Sequence, residues 1–257
     1  STSISSPRAR TRPRCGSLWK SDMEVIDINT TFDSPFFHAL ARDAVDRCDG
    51  RGDFEAITAI IMSSTAFEAF MNELAQYACT ESKKDGSSTM VATLGVSLLK
   101  AIDEWKSPTD KYDLAWEIIH GKAIDKGSGS RQKLKTLFDL RNGLVHNKAE
   151  ETFLIIDPSK KDSMDGQGEW LGQILELYVI PKYVKSLQSD CLFPLEPEQL
   201  RWTSRICNRQ VAEWAFTLVA KSTEELITGD FLPVEFKSRL QEQSLAGYGW
   251  RNKKYVR

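Results

Sequence analysis

Arg141, Asn142 and His146 are the residues of this 257-residue chain whose types and spacing could do chemistry together. With Leu134 at zero on a helical wheel of about 100° per residue, Leu137, Phe138, Leu144 and Val145 fall near about 300°, 40°, 280° and 20°. Arg141 falls at about 340°, in the middle of that apolar stripe. A guanidinium there must be paired or must point into a polar cleft. Asn142 and His146 are four apart and stack along one edge of the stripe. An arginine offers phosphate oxygens a planar fork of donors, and an imidazole titrates near neutrality and can carry a proton. Gly143 weakens the helix by roughly 1 kcal/mol relative to Ala, so its presence predicts close approach of another backbone or a ligand.

A second segment carries a matching oddity. Between about 54 and 78 the chain has its strongest helical period, with Ile57, Ile60, Ile61, Phe67, Met71, Leu74 and Ala78 on one face. Glu68 falls inside that face, and Asn72 lies one turn further on. A carboxylate on a buried stripe needs a cation, and Arg141 is the candidate. A Glu68–Arg141 contact, or a shared polar pocket, is expected.

The elements that must position these residues read as mostly α. A helix is expected from Ser34-Pro35, as N-cap and first residue, to about Cys48. Two shorter helices follow the long one, at about 90–105 and 110–120, parted by Ser107-Pro108. Ser130 is a candidate N-cap for a helix over about 131–149. Residues 152–156 suit a short strand, 157–168 a surface loop, and 170–190 either helix or strand. One helix is expected over about 198–227 and a short one near 232–243. Residues 1–33 read as a disordered or extended leader, rich in Ser, Arg and Pro at 1–22 and lacking a secretory h-region. Residues 34–245 form the helical domain, with an insertion at about 150–195, and 246–257 are a basic aromatic tail.

The run LFDLRNGLVHNK (137–148) resembles the R-x4-H signature of HEPN domains: Arg141, four residues, His146, with Asn142 directly after the Arg. The upstream STAFEAFMNELA (64–75) is similar to the long first core helix of that superfamily, its acid and amide set among apolar positions. The resemblance covers roughly residues 50–148 and the last long helix. It implies a HEPN-like helical bundle with an irregular insertion before that helix. It also implies a metal-independent endoribonuclease that needs no cofactor and works as a homodimer, two motifs meeting in one composite active site. His146 would be the general acid/base, attack by the 2′-hydroxyl leaving a 2′,3′-cyclic phosphate. Arg141 would hold the scissile phosphate, Asn142 would orient the His or the phosphate, and Glu68 would position Arg141; Asn72, one turn beyond Glu68, is a further supporting candidate. Such a chain would be a defence or toxin-like effector, with RNA as substrate and a regulatory or antitoxin protein as a further partner. The alternative within the same family is a non-catalytic module that binds RNA or a protein partner.

Charge is unevenly placed on a chain of net charge −2. Residues 8–20 carry +5, residues 121–148 carry +5 and residues 249–257 carry +4, which leaves −16 on the rest. A polyanion is therefore drawn to particular places. Lys133, Lys135 and Lys148 flank the motif and are expected to guide RNA toward it. His120, before Gly121, reads as a helix C-terminal cap. Glu235 and Lys237 match the end of a metal-dependent nuclease motif, but in a helix where that motif needs a strand. The five cysteines contain no CxxC pair. With three scattered histidines, this argues against a zinc site and for a reducing, cytoplasmic setting. No apolar run approaches the roughly 20 residues that span a bilayer. GxSxG, HExxH, P-loop and GxGxxG motifs are absent.

Overall fold

The structure, a computed structural model, describes residues 32–49, 53–84, 88–127, 129–146, 152–155, 175–178, 180–189 and 202–242. Among them lie nine helices and one two-stranded hairpin. The helices are α1 (Ser34–Arg47), α2 (Glu55–Glu81), α3 (Thr89–Asp103), α4 (Pro108–His120), α5 (Gly129–Val145), α6 (Lys182–Ser189), α7 (Trp202–Ile206), α8 (Arg209–Ile227) and α9 (Val234–Gln241). The strands β1 (Thr152–Ile155) and β2 (Leu175–Tyr178) pair antiparallel, Thr152 opposite Tyr178. The chain is mostly helical, as expected. No described helix is long and apolar enough to cross a membrane. Residues 1–31 of the leader and the whole basic tail, 246–257, lie outside the described residues.

The 27-residue α2 is the axis, touching α1, α3, α4, α5 and α8. Being surrounded, it is buried on more than one face, and Phe67, Phe70, Met71 and Leu74 are wholly enclosed. Each such side chain contributes roughly 1.5–3 kcal/mol of burial. Phe67 lies between Tyr112 of α4 and Phe138 of α5, at ring-centroid distances of 5.8 and 6.1 Å. This aromatic contact ties the two carriers of the candidate motif, α2 and α5, to the same core. Where α3 crosses α2, a Cβ on Gly95 would lie 2.5 Å from the Cys79 backbone nitrogen, so only glycine fits.

Several sequence expectations are corrected. The start of α1 is not capped by Ser34: Asp33 is the N-cap residue, without a side-chain bond. Glu73 of α2 serves instead, accepting from Asp33 N (2.6 Å), Ser34 N (3.0 Å) and Ser34 Oγ (2.5 Å). These satisfy donors that a helix start leaves open. Ser130 lies inside α5 rather than capping it, and its Oγ donates to Glu225 of α8 at 3.3 Å. The helix also stops at Val145, which is 52% exposed. The single helix expected over 198–227 is two, since Asn208 accepts from Val211 N at 3.0 Å and so starts α8 afresh. The ambiguous 170–190 stretch contains both a strand, β2, and a helix, α6.

The α3–α4 turn closes with a left-handed residue: Trp105 N donates to Ile102 O (3.0 Å) and Lys106 N to Ala101 O (2.9 Å). This is the Schellman arrangement, in which glycine is the usual left-handed residue. Trp105 holds that position at φ 57°, which costs an L-residue roughly 1–2 kcal/mol.

Candidate functional site

The last turns of α5 meet the middle of α2. Arg141 Nη2 donates to Glu68 Oε2 at 3.3 Å, and Arg141 Nη1 donates to Asn142 Oδ1 at 2.9 Å. The wheel argument therefore identified a real contact. Neither partner is fully enclosed, Arg141 being 30% and Glu68 36% exposed. An ion pair this wet contributes about 1 kcal/mol or less to stability. Its consequence is geometric, because it fixes the guanidinium plane. An arginine has about five N–H donors. Two are engaged here, and among the described residues the others have no partner.

The pair borders a cavity of about 270 Å³. Phe138, Asp139 and Asn142 of α5 line it, with Ser107, Pro108 and Thr109 where α4 begins. Ser107 caps α4 by accepting from Asp110 N at 3.1 Å, which fixes this wall. Lys135 also borders the cavity, but its ammonium is held by Asp139 one turn on, at 2.6 Å.

Behind Glu68 lies a residue that sequence reasoning missed. Lys111 of α4 is only 4% exposed, and its Nζ donates to Asn72 Oδ1 at 2.8 Å. Burial lowers its pKa, while the Glu68 carboxylate pulls it back up. Glu68 is thus engaged by Arg141 in contact and by Lys111 through its field. Asn72 supports Lys111, not Arg141. The signal was available: Lys111, Ala115 and Ile119 are four apart and buried, so a lysine stands on the apolar stripe of α4.

The remaining candidates are dispersed. His146 follows the last residue of α5; its backbone N–H reaches Asn142 O at 2.9 Å. Its side chain is exposed, does not border the cavity, and makes no hydrogen bond among the described residues. Lys133 lies on another face of α5, beside a second cavity of about 200 Å³ with Trp214. Lys148 falls outside the described residues. Gly143 admits the close approach expected of it. A Cβ there would fall on the Tyr183 hydroxyl of α6 and lie 3.3 Å from Trp202.

The other two histidines are packed. His38 is buried and stacked on Phe216 at 4.2 Å, and burial drives its pKa down to about 3. His120 stacks on Trp116 at 4.0 Å, and burial lowers its pKa. It is the last residue of α4, as expected, and Gly121, at φ 66°, is the left-handed residue that closes the helix. Among the described residues, no group of three or more His, Cys, Asp and Glu could hold a metal ion.

No protein-family model, curated protein or solved structure gives a significant match to this chain.

Proposed function

We propose that this chain is a HEPN-type endoribonuclease that cleaves RNA without a metal ion. The observation that carries the reading is Arg141, clamped between Glu68 and Asn142 at the rim of an open cavity, with further donors that no described residue engages. A planar cation so held suits the non-bridging oxygens of a phosphodiester. In the reaction, the ribose 2′-oxygen attacks phosphorus and the P–O5′ bond breaks. The products are a 2′,3′-cyclic phosphate and a free 5′-hydroxyl. His146 takes the 2′-hydroxyl proton or supplies one to the leaving oxygen, and Arg141 stabilises charge on the phosphoryl oxygens. The nucleophile is internal to the substrate, so no metal is needed to generate it.

His146 lies off the cavity rim of its own chain. The reading therefore places it in a composite site, where two copies bring their α5 ends together. The setting is cytoplasmic, and the activity that of a defence or toxin-like effector held in check by a regulatory protein. The same position of His146 favours the second reading, a non-catalytic module that binds RNA or a protein through the Arg141 cavity.

The test compares wild type, Arg141→Ala and His146→Ala on total RNA in EDTA, reading product ends. Cleavage by wild type alone, with cyclic ends, is the expected result. Equal cleavage by all three removes both residues from the mechanism. RNA binding without cleavage, unchanged by His146→Ala, selects the second reading.

A further inference from the structure

Trp105 stands on the loop that leads into the Arg141 cavity, and nothing in the described chain accounts for its side chain. Among the described residues it alone, glycine apart, has a left-handed backbone, and its side chain is 84% exposed. Glycine would close the same turn without the Cβ penalty. The indole is not buried, so the fold recovers neither the conformational cost nor the cost of wetting a large apolar ring. Strain that persists without internal compensation is characteristic of binding sites.

Its surroundings narrow the ligand. Asp103, Glu104, Lys106 and Ser107 are all exposed, so its neighbours along the chain are polar, unlike the apolar centre of a protein interface. Lys100 and Lys106 flank it, each only loosely drawn to Glu104, at 3.8 and 3.7 Å. Two residues on, Ser107 already borders the cavity, so the Trp105 backbone is within about 7 Å of the cavity wall. An exposed aromatic ring with a lysine on either side, two residues from the wall of a cavity that holds an arginine suited to a phosphate, matches how single-stranded nucleic acid is held, although Asp103 and Glu104 balance the lysine charge locally.

We propose that Trp105 is a stacking platform for an unpaired base of an RNA strand whose phosphate lies at Arg141. This rests on the RNA reading of the cavity, and it adds that the substrate is single-stranded there. The ring stacks on the base face, so it confers affinity without strong sequence preference.

The test uses the full chain as wild type, Trp105→Gly and Trp105→Phe. Affinity is read by fluorescence anisotropy with a short single-stranded 2′-O-methyl RNA, which lacks the nucleophile and stays intact. Trp105→Gly is expected to bind about tenfold more weakly, with Trp105→Phe close to wild type. The glycine variant is also expected to unfold in urea at the same midpoint as wild type or a higher one. Wild-type affinity in Trp105→Gly overturns the platform, and so does a clearly lower midpoint, which would give the ring a structural role. Self-association lost in Trp105→Gly with RNA affinity intact overturns it in favour of a second copy of the chain. If wild type binds RNA through Trp105 but never cuts a cleavable oligonucleotide, the nuclease reading falls and the platform stands. If wild type binds no RNA, both fall.

Discussion

Gly143 offers a change whose sign depends on one hydroxyl. In a free helix, Gly143→Ala gains up to about 1 kcal/mol. Here the new methyl would land on the Tyr183 hydroxyl and lie 3.2 Å from Cζ of the same ring. The ring cannot simply swing aside, because it packs edge-on against Trp202 at 5.9 Å and 88°. Forcing a methyl into such a contact costs about 1–3 kcal/mol. The net expectation is a loss of about 1 kcal/mol from Gly143→Ala. In a Tyr183→Phe background the worst contact is gone while ring carbon and Trp202 contacts of 3.2 and 3.3 Å remain, so the same change should cost clearly less than in wild type. Urea unfolding of wild type, both single variants and the double variant reads the coupling directly. Additivity within about 0.5 kcal/mol would refute the close approach, as would stabilisation by Gly143→Ala alone. Because Gly143 follows Asn142, the cycle also tests whether α6 sets the placement of the motif.

Three further outcomes follow from the geometry. Lys111→Met should leave Asn72 Oδ1 without its donor, cost about 1 kcal/mol in urea unfolding, and weaken RNA cleavage more than stability. Unchanged cleavage would confine Lys111 to the core. Glu73→Ala opens the two N–H groups and the hydroxyl that cap α1. It should cost about 3 kcal/mol, with faster hydrogen exchange in α1 than elsewhere; uniform exchange would argue against a local cap. The His38 imidazole stays neutral down to about pH 3 when folded, whereas its ordinary value is 6.5. Stability from this group is therefore full above pH 6.5 and falls by about 1.4 kcal/mol per pH unit as pH drops from there toward 3. His38→Phe should flatten that acid limb, and an unchanged limb would assign it to other groups.

The Glu68–Arg141 contact was legible because each residue breaks an otherwise apolar stripe, and a buried charge demands a partner. The extent of α2 was legible from its long run of apolar residues without Gly or Pro, but its several buried faces were not, since a surrounded helix blurs the one-sided 3.6-residue pattern. Ile57 and Ile61 are only half-buried, while Ala59, Ser63 and Phe70 are enclosed. The end of α5 was not legible: Val145 continues the apolar period, yet the helix ends there with that side chain half exposed. The break at Asn208 was hidden because Ile206 and Val211 keep an apolar rhythm across it, although an Asn three residues before a buried Val is an N-cap signal. Glu73 carried no local signal at all, as it caps a helix that starts 39 residues earlier. Where His146 would act is no more legible in the fold of one chain than in its sequence, since it stands past the helix end.

Charge counted along the sequence overstated the pull of the cavity rim. Lys135 was expected to guide RNA, yet it is answered by Asp139, just as Arg141 is answered by Glu68. The rim is thus close to neutral, and on the proposed reading its attraction for RNA is short-ranged, acting through the guanidinium donors left open among the described residues. The Lys135–Asp139 pair is exposed, at 59% and 39%, so it contributes little stability and can be altered without unfolding the chain. Asp139→Asn should free the Lys135 ammonium for a phosphate. RNA binding should tighten, and the plot of log affinity against log salt should steepen by about 0.7, the value for one more contact to a single strand. Lys135→Gln, in contrast, leaves Asp139 unopposed beside Arg141 and should weaken binding at low salt. If Asp139→Asn leaves both affinity and salt slope unchanged, RNA does not pass this side of α5, and the path past Lys133 and the Trp214 cavity becomes the one to test.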